Sequence, residues 1–92
     1  GNDALRAQVV EAVERALHRF DGQLTRVDAH LSDENHDKFG ADDKRCSLEA
    51  RPTGHQPVAV SHHAATLEQA IDGASGKLRR ALETLFGKLG RA

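Results

Sequence analysis

The stretch Lys44-Arg45-Cys46-Ser47-Leu48-Glu49-Ala50-Arg51-Pro52-Thr53-Gly54-His55-Gln56-Pro57-Val58-Ala59-Val60 alternates apolar and polar residues, breaks at a proline and a glycine, and then alternates again. Period two marks a half-buried strand, because successive side chains point to opposite faces. Cys46, Leu48 and Ala50 are therefore expected to face inward, and Arg45, Ser47, Glu49 and Arg51 outward. Pro52, Thr53 and Gly54 make the turn. The next strand runs from Gln56 to about His62 with Val58 and Val60 inward, and Pro57 stands at its start, where a missing N–H matters least.

Working outward, Leu24 to Leu31 repeats the same period, with Val27, Ala29 and Leu31 on one face and Arg26, Asp28 and His30 on the other. Ser32 to Asp43 is polar and acidic and contains Gly40, so it reads as a long hairpin loop between two strands. Beyond the strands the period changes. Over residues 4–20, Leu5, Val9, Val13, Ala16, Leu17 and Phe20 recur at three- and four-residue spacing, which predicts an amphipathic helix capped by Asn2 or Asp3 and ended by Gly22. Over residues 67–89, Leu67, Ala70, Ile71, Ala74, Leu78, Leu82, Leu85 and Leu89 form one stripe. Thr66 and Gln69 are spaced as a capping box. Gly73 and Gly76 each cost such a helix about 1 kcal/mol relative to Ala, which predicts a close approach of helix to sheet.

The order is helix, strand, strand, strand, helix, with no internal repeat and no linker. That is an α+β fold: an antiparallel meander with both helices on one face, forming a single domain over residues 1–92. A chain this short buries only about 60 to 65% of the surface that its unfolded form exposes, so a deep enzyme cleft is not expected. Aromatic residues are limited to Phe20, Phe39 and Phe86, which makes the core aliphatic. Cys46 is the single cysteine, so no internal disulfide forms, and a cytoplasmic location is expected. No apolar run approaches the roughly 20 residues that span a bilayer, so no membrane partner is expected.

The formal net charge is −1, but it is divided along the chain. Residues 1–43 hold five Lys and Arg against ten Asp and Glu, whereas residues 44–92 hold eight against four. A domain with one basic side can address a phosphate surface while turning its acidic side away. Around the final helix, Lys77, Arg80, Lys88 and Arg91 fall on one flank, and Glu68, Asp72 and Glu83 fall on the other together with Arg79. If Lys44, Arg45 and Arg51 lie on the same side as the first flank, the result is an arginine-rich surface suited to phosphate oxygens.

Other chemistries fit poorly. The outward strand positions carry no Tyr, Trp or Phe on which bases could stack as they do on an RRM sheet. The order of elements matches the double-stranded-RNA-binding domain, yet that domain's basic cluster at the start of the final helix is replaced by Thr66, Leu67, Glu68 and Gln69. Among six histidines, His62 and His63 are adjacent on a strand and so point to opposite faces, which does not suit one metal ion. Asp33, Asn35 and Asp37 imitate the opening of a calcium loop, but Lys38 and Lys44 stand where Gly and Glu are needed. Cys46 has the inward phase of an inert core thiol. With no nucleophile and base at a telling spacing, neither catalysis, a cofactor nor a metal is expected.

Three segments together resemble a known family. Leu24-Thr25-Arg26-Val27-Asp28-Ala29-His30-Leu31-Ser32-Asp33-Glu34-Asn35, then Asp42-Asp43-Lys44-Arg45-Cys46-Ser47-Leu48-Glu49-Ala50-Arg51, and Gln56-Pro57-Val58-Ala59-Val60 with Thr66-Leu67-Glu68-Gln69-Ala70 are similar to the ribosome hibernation promoting factor and ribosome-associated inhibitor family, also called sigma-54 modulation proteins. The resemblance covers nearly the whole chain. It implies a stress-related, non-enzymatic translation inhibitor in the channel of the small ribosomal subunit, over the mRNA and tRNA sites. It also implies contacts to ribosomal RNA from Lys44, Arg45, Arg51, Lys77, Arg80 and Lys88.

The family's opening strand precedes its first helix, whereas this sequence opens at Gly1-Asn2-Asp3, at the helix cap. An exposed sheet edge near Leu24 is therefore expected, covered by a homodimer or a swapped contact. No C-terminal dimerisation domain follows Ala92, so ribosome pairing through one is not expected. A second reading, of a different class, is a protein interaction module that regulates transcription or another partner through the acidic loop Ser32 to Asp43.

Overall fold

The computed structural model describes residues 3–33 and 44–89, with side chains through Gly87. In chain order the elements are α1 (Asp3–Leu17), a 3-10 turn (His18–Phe20), β1 (Leu24–Asp33), β2 (Lys44–Pro52), β3 (Val58–Ala64) and α2 (Leu67–Leu89). The strands form one antiparallel sheet in the order β1-β2-β3. This is the α+β meander expected from the periodicities.

The first helix is shorter than its apolar stripe implies. α1 ends at Leu17, and a 3-10 turn carries Phe20 inward, tightening the last turn before Gly22. Gly22 has a φ of +86° and Gly54 a φ of +77°, so both turns use the left-handed backbone that glycine adopts without a steric cost. At the start of α2, the Thr66 hydroxyl accepts a hydrogen bond from the Gln69 backbone N–H at 3.1 Å. That is the N-cap its spacing predicts.

β2 is the central strand, and α2 lies across β2 and β3. Cys46, Leu48 and Ala50 of β2 are fully buried beneath Ala70, Ile71, Ala74, Leu78 and Leu82 of α2. α1 lies beside α2 and closes the core with Val9, Ala12, Leu17 and Phe20. Phe20 and Phe86 meet with ring centroids 5.4 Å apart. Fully burying a Leu or Ile side chain stabilises a fold by about 1.5–3 kcal/mol, and Leu48, Ile71, Leu78 and Leu82 are all fully buried where α2 meets the sheet, which makes that contact the centre of the domain.

β1 departs from the sequence reading. Val27 and Leu31 are half-buried as expected, but Ala29 is exposed, although it lies on the helix side opposite buried Leu48. α1 packs chiefly on α2 and does not extend over this part of β1. Alternation correctly reports the face, but it cannot report whether anything covers that face. β3 starts at Val58, two residues later than predicted, and continues to buried Ala64.

Candidate nucleic-acid interface

The pairing register assigns side chains to the two sides of the sheet. Ser32, Arg45 and His63 form one row on the face away from the helices, and His30, Ser47 and Ser61 form the next. Asp28, Glu49 and Ala59 follow, and Arg26 lies opposite Arg51 at the far end. The middle of this face is a shallow depression of about 310 Å³ lined by His30, Arg45, Ser47, Glu49, Ala59 and Ser61. No Phe, Tyr or Trp stands among these described residues, so the face offers hydrogen bonds and charge but lacks the large aromatic platforms on which successive bases stack.

Carboxylates are interleaved with the cations of this face. Arg26 Nε lies 2.9 Å from Asp28, and Arg51 Nη2 lies 3.6 Å from Glu49. Arg45 and Arg51 share the face, six residues apart on one strand, which corresponds to about 20 Å. Lys44 does not join them. One position earlier it takes the helix-side phase of Cys46, and its Nζ lies 2.9 Å from Asp33 at the mouth of the hairpin.

On α2 the charges divide by flank, as the helical projection predicts. The acidic flank turns toward α1: Gln8 Nε2 donates to Glu68 at 3.2 Å, and Glu83 receives Arg19 at 2.8 Å and Arg79 at 3.3 Å. Arg19 also stands over the Phe20 ring, 5.6 Å from its centroid. The sequence reading missed this role of Arg19, since a residue 64 positions from Glu83 reveals nothing of the pairing along the chain.

The other flank holds Lys77 and Arg80, both exposed and one turn apart. Neither is paired with a carboxylate among the described residues. Lys77 Nζ donates to the Ser61 carbonyl oxygen at 2.9 Å, so the flank borders the edge of β3. The Arg80 guanidinium lies over Gly76, where an added Cβ would stand 3.3 Å from Nη1. The Lys88 side chain and residues 34–43 of the acidic loop lie outside the described residues.

The predicted cations thus form two groups instead of one patch. Arg45 and Arg51 lie on the outer sheet face, Lys77 and Arg80 lie on the helix flank, and Lys44 stands apart with Asp33. The β3 edge joins the two groups, because Ser61 belongs to the outer face and its carbonyl receives Lys77.

The histidine and cysteine positions agree with their strand phases. His62 turns toward α2 against Gly73, and His63 is exposed in the outer row beside Arg45. Cys46 is fully buried, and desolvation raises its thiol pKa to about 11. It is therefore protonated and unreactive at neutral pH.

Comparison with known proteins bears on the whole chain. The family model described as Sigma 54 modulation protein / S30EA ribosomal protein matches residues 1–89. The crystal structure of the Thermus thermophilus Protein Y N-terminal domain is similar, with a TM-score of 0.72 and 25% sequence identity, over 90% of this chain and 83% of that one. No curated protein matches the chain by sequence.

Proposed function

The chain belongs to the sigma-54 modulation protein / S30EA ribosomal protein family, and on that premise we propose that it is a ribosome-associated translation inhibitor. In this reading it is a hibernation factor, acts in the cytoplasm without catalysis, and binds the RNA of the small subunit in the channel for mRNA and tRNA. The observation that carries the reading is the family match over residues 1–89, together with the fold shared with the Protein Y domain.

The charge arrangement supplies the physical half. α2 uses Glu68 and Glu83 to hold α1 and the 3-10 turn, which leaves Lys77 and Arg80 as a flank clear of described carboxylates. Phosphate groups gain most from such cations, because no internal ion pair has to be broken first. Lys77 keeps two N–H donors beyond the one given to Ser61. Arg45 and Lys88 extend this contact, and Arg51 and Lys44 join it once RNA competes with Glu49 and Asp33. Without Phe, Tyr or Trp on the described outer face, recognition is of backbone and shape and not of base sequence.

Sedimentation of the protein with small subunits through sucrose tests the reading. Co-migration that weakens as salt rises is expected, because phosphate contacts release counterions. Migration with free protein at low salt would overturn it.

A further inference from the structure

The outer sheet face and the α2 flank use charge differently. Two of the three described arginines on the face are shared with neighbouring carboxylates, Arg26 with Asp28 at 2.9 Å and Arg51 with Glu49 at 3.6 Å. A phosphate group therefore finds little net attraction at the middle of this face. What the middle offers is a row of small hydrogen-bonding groups. His30 of β1 lies opposite Ser47 of β2, and Ser47 lies opposite Ser61 of β3. All three line the shallow depression of about 310 Å³, with Glu49 beside them. Among the described residues, none of these three side chains is engaged in a hydrogen bond: Ser61 gives Lys77 its backbone carbonyl and keeps its hydroxyl.

Resting on the RNA-binding reading above, we propose that this row lies in the minor groove of an A-form RNA helix and bonds the ribose 2′-hydroxyls, while Lys77 and Arg80 hold the phosphate strand that borders the groove. A serine hydroxyl both donates and accepts hydrogen bonds, as a ribose 2′-hydroxyl does, so Ser47 and Ser61 match it in both roles. Glu49 accepts from a hydroxyl but repels a phosphate, which favours ribose at the centre of the depression. The row crosses three strands, about 10 Å. The minor groove of B-form DNA, about 6 Å wide, does not admit it. That of A-form RNA is wide and shallow and displays the 2′-hydroxyls.

The Lys77 contact joins the two surfaces. Its Nζ lies 2.9 Å from the Ser61 carbonyl oxygen, so the cationic flank begins where the serine row ends. In a nucleotide the 2′-hydroxyl and the 3′-phosphate are neighbours on one ribose, and a single strand of the helix meets Ser61 and Lys77 together. An unpaired strand would instead be held by stacking on large aromatic rings, and the described outer face has no Phe, Tyr or Trp.

Binding of the 92-residue chain at low salt to a short RNA duplex, to the same duplex carrying 2′-fluoro groups, and to one unpaired strand tests this. The fluoro groups keep the A-form and remove the hydroxyl donor. The RNA duplex is expected to bind about tenfold more tightly than the fluoro duplex, as the loss of two hydrogen bonds implies, and more tightly than the unpaired strand. Ser47→Ala combined with Ser61→Ala, with an unchanged circular dichroism spectrum, should erase the preference and leave the salt slope intact, because no cation is lost. Lys77→Gln should weaken both duplexes alike. Equal binding of the two duplexes overturns the proposal, as do no binding of either, tighter binding of the unpaired strand, or a preference that survives both serine substitutions. If small subunits still carry the protein through sucrose in any of these cases, the ribosome reading stands and only the groove assignment falls. A duplex preference without co-migration would overturn the ribosome reading alone.

Discussion

The His62 imidazole lies across α2 at Gly73, so closely that a Cβ on residue 73 would collide with its Cδ2, Nε2 and Cγ. This contact accounts for a glycine inside a long helix. The helix loses about 1 kcal/mol of propensity there, and in return α2 lies close to β3 with the ring between them.

Gly73→Ala is expected to destabilise the domain by about 1–2 kcal/mol, because overpacking costs about 1–3 kcal/mol and the gain in helix propensity offsets part of it. Urea denaturation measures this. The loss should shrink when His62→Ala is added, since the colliding ring is then gone. An equal loss in both backgrounds would show that the ring is not the obstacle.

The Cys46 thiol is protonated in the fold up to about pH 11, against an ordinary value of 9.0. Between these values the unfolded chain releases a proton that the folded chain retains. The associated stability is thus complete below about pH 9 and is lost as pH rises toward 11, by up to about 2–3 kcal/mol. Cys46→Ala should remove that part of the decline in denaturation curves taken from pH 8 to 11. A thiol reagent at pH 8 should label Cys46 only after unfolding.

Lys77→Gln and Arg80→Gln should each weaken binding to small subunits. Each should also flatten the slope of log affinity against log salt by roughly 0.7–0.9. Arg79→Gln, whose guanidinium is paired with Glu83, should leave that slope nearly unchanged. Equal effects from Arg79 and Arg80 would show that the flank does not discriminate.

Glu83 joins Arg19 and Arg79 at a half-exposed site. Glu83→Gln should cost only about 0.5–1 kcal/mol, because partly solvated ion pairs contribute little singly. The loss should fall further in 0.5 M salt. Thermal denaturation at two salt concentrations measures both effects.

The amino-acid sequence by itself determined the elements, their order and the inward face of each. Period two and period 3.6 are local properties, and so are a Thr66 cap and the turns at Gly22 and Gly54. It also determined the division of charge around α2, since a helix projects its residues at a constant angle. Tertiary structure alone decided which charges meet: that Glu83 reaches back to Arg19, and that Lys44, whose strand phase already opposes that of Arg45 and Arg51, takes Asp33 as its partner. It alone decided that Ala29 lies uncovered while Leu48 beside it is sealed. A periodic pattern states which way a side chain points, but what it encounters depends on where distant segments cross, and no local spacing encodes that crossing.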